Sequence, residues 1–312
     1  MRVARSLPLV ACLVAACGGG SSADGTTDAD DTTTDAPDVD AAPQANTFTV
    51  TTPDVVIDAG DEVTYCYYFD MPNTTDVAVR RWASEMTPGS HHLILYFTDA
   101  ANAPAAGTLT ANCDSQGIAD RWTYSSQLVS NEATMPAGVA MGVKANQRAY
   151  IQLHYLNAGD GPLTAHADLT ADLVPAGESY VPAAAYVTYG AQFTVPSQQA
   201  LTVEHSCEVP GDAHFFGLTT HSHARSTMTA VYDGADELLT SDNWEHPPVI
   251  AWDDPFYTFT SGELTYHCEF FNGTDAAISE GSSAEFNEMC MAVGYFFPAA
   301  EPVLCVNSFI VP

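Results

Sequence analysis

The sequence has 312 residues, of which 8 are Lys or Arg and 39 are Asp or Glu, so its formal net charge is −31. A surface of this sign repels phosphate backbones and anionic lipid headgroups, which excludes nucleic acid and peripheral lipid binding as functions. The length allows two domains, and an apolar fraction of 46% is enough for most of the chain to bury a core.

The first 16 residues have the form of a secretory signal peptide. Arg2 and Arg5 supply positive charge before an apolar run that is too short to cross a bilayer. Cys17 follows directly in a Leu-Val-Ala-Ala-Cys pattern that resembles the lipobox of bacterial lipoproteins, whose cysteine carries the lipid. We therefore predict an exported, lipidated protein of the cell envelope, and Gly18 in place of Asp favours the outer membrane. An ordinary signal peptide with an incidental cysteine is the alternative.

Residues 17–46 are predicted to be a disordered linker. After Cys17 the segment consists largely of Gly, Ser, Thr, Ala, Pro and Asp, and it contains no aromatic residue and no basic residue. Such a composition cannot bury enough apolar surface to order itself, and its like charges extend it. The segment would hold a folded domain away from the membrane.

From residue 47 onward, short runs rich in Val, Tyr, Phe and Thr alternate with Gly, Pro, Asn or Asp, which is typical of β-strands. No stretch keeps a helical period over three turns. We predict an all-β fold of two tandem antiparallel β-sandwiches, jelly-roll-like, at 47–177 and 178–312. The predicted strands are TFTVTT, DEVTYCYYF, HHLILYF, AYIQLHYL, LTAHADLTADL, YVTYGAQFTV, HFFGLTT, MTAVYD, LTYHCEFF and MAVGYFF.

The first predicted domain contains a possible metal-binding cluster. His91 and His92 are adjacent, so on a regular strand they face opposite ways and can share a metal only at a strand end or a bulge. His154 lies farther along, on a strand whose Ile151 and Leu153 occupy the other face. Three neutral imidazoles suit copper or zinc, and the alternative is a set of exposed or lone strand histidines.

A second possible cluster lies in the second predicted domain. His221 and His223 are two residues apart in an apparent strand, so both side chains point to one face. Met289 is a candidate third ligand, because a thioether is a soft ligand that favours Cu(I). Hydrogen-bonded surface histidines and a core methionine are the ordinary alternatives. His214, near this pair in sequence, is a candidate supporting residue.

The cysteine content agrees with export. Cys12 lies in the signal peptide, and an even number of cysteines remains after Cys17. In an exported chain this indicates disulfides, although the spacing leaves their pairing open. The remaining cysteines are Cys66, Cys113, Cys207, Cys268, Cys290 and Cys305.

Four motifs in order, HHLILYF, QLHY, THSH and EMC, resemble the copper type II ascorbate-dependent monooxygenases. This family includes peptidylglycine α-hydroxylating monooxygenase and dopamine β-monooxygenase. The similarity covers about residues 47–312, and it includes the segment MPAGVAMGVKANQRAYIQLHYLNAG and the WEHPP motif that starts at Trp244.

The resemblance implies two copper sites per chain. One copper, held by His91, His92 and His154, would transfer electrons, and the other, held by His221, His223 and Met289, would carry out the chemistry. It also implies disulfides Cys66–Cys113, Cys207–Cys305 and Cys268–Cys290, the last of which would anchor the loop with Met289.

By the same resemblance, the expected activity is hydroxylation of an sp³ C–H bond of a small organic substrate by O₂, with ascorbate or a similar reductant. The family's peptide-amidating members hold a substrate carboxylate with a basic residue where this chain has Thr219, and their polar contacts are replaced by Met291 and Val293. Peptide amidation is therefore disfavoured. A copper-binding or electron-transfer envelope lipoprotein without oxygenase activity, or a β-sandwich binding module without metal, remain alternatives.

Overall fold

The computed structural model describes residues 46–113 and 120–311, which form β-strands and connecting loops. Neither range contains an α-helix, so the all-β prediction is confirmed. It follows that the described part of the chain has no helix able to span a membrane. The predicted signal peptide, the lipidation site Cys17 and the linker up to residue 45 lie outside the described residues.

The strands are numbered in chain order. Those of the first half are β1 (Thr47–Thr51), β2 (Val55–Ile57), β3 (Glu62–Asp70), β4 (Val77–Met86), β5 (Ser90–Thr98), β6 (Leu109–Ala111), β7 (Asp120–Ser126), β8 (Ser130–Thr134), β9 (Val139–Val143), β10 (Arg148–Leu156), β11 (Leu163–Ala165) and β12 (Ala167–Leu173). Those of the second half are β13 (Val181–Pro182), β14 (Ala184–Tyr189), β15 (Thr194–Val195), β16 (Gln199–Glu208), β17 (His214–Ser222), β18 (Ser226–Asp233), β19 (Asp236–Ser241), β20 (Ile250–Ala251), β21 (Glu263–Asn272), β22 (Ile278–Ser279), β23 (Cys290–Phe297), β24 (Val303–Val306) and β25 (Phe309–Val311).

In the first half, a buried core lies between two large sheets. A six-stranded sheet has the order β1-β12-β4-β9-β13, with β8 beside β4, and a five-stranded sheet has the order β6-β3-β10-β5-β7. Trp82 and Leu169 from the first sheet meet Leu95 and Ile151 from the second in one apolar cluster. Along β12, buried and half-buried residues alternate, as expected for a strand with one face on a core.

The second half repeats this arrangement with a six-stranded sheet, β20-β17-β23-β14-β24-β25, and a four-stranded sheet, β16-β21-β18-β19. Tyr186 and Phe296 from the larger sheet pack with Tyr266 and Phe270 from the smaller one. The disulfides Cys207–Cys305 and Cys268–Cys290 each join a strand of one sheet to a strand of the other, and Cys66–Cys113 lies in the first half. These are the pairs that the resemblance implies.

All ten strand segments read from the sequence overlap observed strands, but two long strands, β4 and β16, were missed. Both carry charged residues that hide the alternation. On β4, Arg81 binds Glu132 of β8 and Asp172 of β12, and on β16, Glu204 contacts His267 of β21. These cross-strand polar pairs place charged side chains on strands whose local composition does not indicate a strand.

The described residues, 46–113 and 120–311, belong to one compact unit. The six-stranded sheet of the first half extends to β13, which pairs with β9 in parallel and lies past the predicted boundary at residue 177. The division into two domains stays a prediction.

The two halves meet through sheet faces that point away from their own cores. Tyr96 and Ile94, on the outer face of the five-stranded sheet, and Val187 and Val293, on the second face of the larger sheet of the other half, line one cavity. Trp122 packs against both faces. The histidines lie at one end of this shared space.

Candidate metal centre

His91 and His92 reach the same cluster because the strand that carries them contains a bulge. His154 of β10 pairs with His92 of β5, whereas the next residue, Tyr155, pairs with Ser90, so His91 is the additional residue. A bulge redirects the extra side chain, and this allows neighbouring residues to point to one place. The ring centroids of His91 and His92 are 5.2 Å apart, and each lies 5.0–5.2 Å from that of His154. The expectation of a strand irregularity here is confirmed.

Gly89 permits the chain to begin β5 in this way. Its φ of 103° lies in a region that L residues rarely adopt. A Cβ added at Gly89 would also lie 3.1 Å from a methyl carbon of Leu163, so a side chain would crowd the start of the strand.

His221 and His223 lie at the far end of β17. His221 is within the strand, but His223 is one residue past its end, in a turn where its carbonyl oxygen accepts a hydrogen bond from Ser226 N at 2.9 Å. The two rings nevertheless stay 5.2 Å apart, and both side chains are buried. The predicted pairing of these side chains therefore holds, although a turn and not a regular strand positions the second histidine.

The five histidines form one continuous cluster. The centroid of His91 is 5.1 Å from that of His221 and 5.7 Å from that of His223. Two sets of three ring nitrogens can each hold a metal ion. One set comes from His91, His92 and His154 and the other from His91, His221 and His223, and within each set the nitrogens lie within 4.8 Å of one another. His91 belongs to both, so the two candidate sites adjoin each other.

Several ring nitrogens in this cluster have no hydrogen-bond partner. They are buried and comprise Nε2 of His91, Nδ1 of His92, Nδ1 of His154 and Nε2 of His223. A buried polar atom without a partner costs about 1–3 kcal/mol, so several of them in one place are unfavourable unless something binds them. Converging imidazole nitrogens are ligands that copper and zinc accept, and this donor set therefore fits the metal that the resemblance implies.

In three of the histidine rings, one nitrogen lies within hydrogen-bond distance of an oxygen of the protein. His221 Nδ1 is 2.7 Å from Gln127 Oε1, His223 Nδ1 is 3.3 Å from Asn287 O, and His154 Nε2 is 2.7 Å from Glu62 Oε1. Because these oxygens are acceptors, the nitrogens that face them carry the protons. His154 is thereby left with Nδ1 free for a metal, and His221 and His223 with Nε2.

Glu62 is a site residue that the sequence did not indicate. Its carboxylate accepts hydrogen bonds from Ser283 Oγ and Ala284 N, each at 2.6 Å, in addition to His154. Burial alone would raise the pKa of Glu62, but hydrogen bonds from His154, Ser283 and Ala284 lower it to about 2. An ionised carboxylate therefore joins a histidine of the first cluster to the loop that precedes Met289.

The cluster holds four of its five histidines in the uncharged form. Burial, reinforced by neighbouring histidines, lowers the pKa of His91, His92 and His221 well below the usual value. The same causes lower the pKa of His223 to about 3. Neutral imidazole is the form that binds metal ions, so no proton has to leave these rings near neutral pH.

Met289 is half-buried and lines the cavity beside His221. The residues on either side of Met289 are each bonded to another segment of the chain. Cys290 forms the disulfide with Cys268, and the fully buried Glu288 accepts hydrogen bonds from Arg225 N at 3.0 Å and Arg225 Nη1 at 3.3 Å. Burial raises the pKa of Glu288 to about 7, although Arg225 opposes this shift. Arg225 thus links the turn after His223 to the segment that contains Met289.

The cavity next to the cluster has a volume of about 420 Å³. Thr219, Met291 and Val293 all line it, as expected if they replace polar substrate contacts. The Thr219 hydroxyl donates to Pro248 O at 3.0 Å, in the WEHPP segment, whose Trp244 ring lies 5.6 Å from His91.

The suggestion that His214 supports the histidine pair is wrong. His214 begins β17, at the opposite end from His221, and its exposed ring contacts Thr258 and Phe297. Since a strand rises about 3.3 Å per residue, this separation is too long for any contact.

No protein-family model matches the sequence, and no curated protein shows a significant match to it.

Proposed function

We propose that this chain is a copper-dependent monooxygenase that hydroxylates an sp³ C–H bond of a small organic substrate, with O₂ and an ascorbate-type electron donor. His91, His92 and His154 would hold one copper, and His221, His223 and Met289 the other. When bound, copper supplies the redox chemistry that reduces O₂ and oxidises the C–H bond.

One observation carries the proposal. Five buried histidines form a cluster in which unpaired ring nitrogens converge. The cluster adjoins a cavity of ligand size that Met289 also lines. Metal binding explains why unpaired nitrogens are buried together, and the adjoining cavity explains where a substrate would lie. A binding module without metal would account for the cavity but not for the buried, unpaired nitrogens.

The residues around the cluster orient the ligands and exclude water. Gln127, Asn287 O and Glu62 hold the protonated nitrogens, so the remaining nitrogens face the metal positions. The thioether of Met289 favours the reduced metal, since sulfur is a soft donor. The apolar wall formed with Met291 and Val293 keeps the reacting carbon out of bulk water.

Metal content is the first test. Purified full-length protein reconstituted with copper and dialysed is expected to retain about two copper ions per chain, one for each ligand set. Absence of bound copper would contradict the proposal. A single ion would indicate that His91 joins both sets into one site, and this favours the alternative of a copper-binding or electron-transfer protein without oxygenase activity.

Activity separates these two functions. The copper-loaded protein should consume O₂ in the presence of ascorbate, and Met289→Ala should abolish oxygenation while copper stays bound to His91, His92 and His154. Met228→Ala, at a half-buried methionine of β18, is the matched control and should keep full activity. Oxygenation by the Met289→Ala protein would contradict the assignment, and copper binding without O₂ consumption by the wild type would support the alternative.

A further inference from the structure

We infer that the cavity beside the histidine cluster accepts an uncharged, apolar molecule and rejects carboxylates and ammonium ions. This inference rests on the proposed function, because it names the class of substrate for the same site. Three observations support it: the apolar walls of the cavity, the charged residues that line the cavity, and the hydrogen-bond partners of the polar residues on its walls.

The two sheet faces that enclose the cavity are apolar. One contributes Ile94, Tyr96 and the ring of Trp122, and the other contributes Val187 and Val293. Tyr96, Val187 and Val293 are each at most 5% exposed, so the faces are packed and preformed. Apolar walls of this kind gain free energy from a ligand in proportion to the apolar area removed from water.

Three polar side chains on these walls, Gln127, Gln152 and Thr219, already have partners within the protein, whereas Trp122 Nε1 is buried without one. The amide of Gln127 contacts both His221 Nδ1 and Thr220 O, Gln152 donates to Cys113 O, and Thr219 donates to Pro248 O. A site that recognises a polar substrate leaves donors and acceptors free for it, because breaking an internal bond to bind a ligand gives no net gain. These groups therefore shape the cavity and do not select a polar ligand.

The charged residues at the cavity disfavour both kinds of ion. No Lys or Arg is among the described residues that line it, whereas Asp120 and Glu280 are, so a substrate carboxylate would be buried without a counter-ion. Both oxygens of Glu280 are occupied, one by the hydroxyl of Tyr189 and one by Gln192 N at 2.8 Å. Asp120 accepts a hydrogen bond from the Tyr150 hydroxyl at 2.7 Å. Because protein donors already solvate both carboxylates, an ammonium group gains little from them relative to the hydration that it loses on entering the cavity.

The test compares three probes of nearly equal shape: butylbenzene, 3-phenylpropylammonium and 3-phenylpropanoate. Binding to the full-length, metal-free protein is measured by ligand-observed NMR at pH 7. We expect butylbenzene to bind at least about tenfold more tightly than either ion, because the carboxylate meets no basic residue and the ammonium ion meets only carboxylates that the protein already solvates. Tighter binding of the ammonium ion than of butylbenzene would show that Asp120 or Glu280 recognises a cation, and it would overturn the inference. Tighter binding of the carboxylate, or no binding of butylbenzene, would also overturn it.

A variant locates the bound probe. Leu304→Lys places a cation on the half-buried edge of the cavity and should weaken butylbenzene and strengthen 3-phenylpropanoate by about tenfold each. Val56→Lys, at a residue that is 65% exposed and remote from the cavity, is the control and should leave both affinities unchanged. Should Leu304→Lys fail to fold, faster proton relaxation of butylbenzene in Cu(II)-loaded wild type gives the location, and its absence would overturn the assignment.

The inference and the proposed function can fail separately. Butylbenzene binding to metal-free protein does not require copper, so a protein that binds the probe but shows no ascorbate-dependent O₂ consumption would refute only the oxygenase. A protein that hydroxylates a charged substrate in preference to butylbenzene would refute only the substrate class.

Discussion

For a metal-binding histidine, the partner of the second ring nitrogen decides which nitrogen is presented to the metal. In this protein those partners come from distant positions: Gln127 holds His221 from the other half of the chain, and Glu62 holds His154. The motifs contain the histidines that are proposed as ligands, but no local pattern marks Gln127 or Glu62. Gln127 reaches His221 through the packing of the two halves and Glu62 reaches His154 through the pairing of β3 with β10, and periodicity and motif spacing record neither.

Gln127 is expected to control the tautomer of His221. In Gln127→Leu the acceptor for Nδ1 is lost while the side-chain volume is nearly kept, so the ring can rotate or change its protonated nitrogen. Copper affinity at the site of His221, His223 and Met289 should fall about 10- to 100-fold, as measured by competition with a chelator. Gln199→Leu, at an exposed residue without a contact to the cluster, should bind copper like the wild type. Equal affinities for the two variants would show that Gln127 does not position the ring.

Glu62 is expected to act on both halves of the site at once. Glu62→Gln removes the charge next to His154. It also replaces one of the two carboxylate oxygens, of which one accepts from Ser283 and the other from His154 and Ala284, with an NH₂ donor. We expect weaker copper binding at the site of His91, His92 and His154, by about 10- to 100-fold, and faster amide exchange at Ala284. Glu178→Gln, at an exposed carboxylate, is the control. If copper affinity fell but amide exchange at Ala284 did not change, Glu62 would not link the His154 strand to the segment that contains Ser283 and Ala284.

At the level of elements, the site depends on irregularities at strand ends. The bulge at His91, the turn that follows β17 and the loop before β23 each place one ligand where a regular strand would not. Alternation and turn residues were sufficient to predict ten strands and the need for a bulge at the His-His pair. Strands such as β4 were not predictable, because charged residues that pair with neighbouring strands interrupt their alternation, and pairing partners are not visible in a local pattern.

The Cys268–Cys290 disulfide joins β21 to β23 immediately next to Met289. The double variant Cys268→Ala/Cys290→Ala should lose about 2–4 kcal/mol of unfolding free energy and also weaken copper binding by His221, His223 and Met289. The matched control is Cys207→Ala/Cys305→Ala, which removes a disulfide between the same two sheets, with a sequence separation of 98 in place of 22. It should lose comparable or greater stability, measured by urea unfolding, and keep its copper affinity. Equal effects of the two double variants on copper would mean that the disulfide acts only through global stability.

On the scale of the whole molecule, the small number of cations determines how carboxylates are stabilised. With 8 basic and 39 acidic residues, most carboxylates cannot find an ion-pair partner. Glu62 and Asp233 are instead surrounded by N–H and O–H donors from loops, and this joins elements that are distant in sequence. The charge imbalance is visible in the sequence but these contacts are not, since most of the donors are backbone N–H groups and the hydroxyls of Ser, Thr and Tyr.

Asp233 provides a test of this mode of stabilisation through pH. Its buried carboxylate, at the end of β18, accepts hydrogen bonds from Tyr257 Oη at 2.8 Å, Thr260 N at 2.7 Å and Ser261 N at 2.8 Å. Burial opposes ionisation, but the hydrogen bonds from Ser261, Thr260 and Tyr257 prevail and lower the pKa of Asp233 well below its usual value. Because the folded pKa lies below the unfolded one, the stabilisation is complete above the unfolded value of about 3.9 and is lost as the pH falls toward the folded one.

Asp233→Asn should therefore be less stable than the wild type by about 2 kcal/mol at pH 7, since an amide cannot accept all of these bonds. This difference should narrow progressively below about pH 4, where the wild type also loses the ionised carboxylate. Urea unfolding at a series of pH values measures it, and Asp212→Asn, at an exposed residue, should match the wild type throughout. If the difference in unfolding free energy between Asp233→Asn and the wild type stayed constant down to about pH 2, Asp233 would stabilise the loop through its shape and not through its charge. Hydrogen bonds from loop donors would then not explain how this acidic chain stabilises its buried carboxylates.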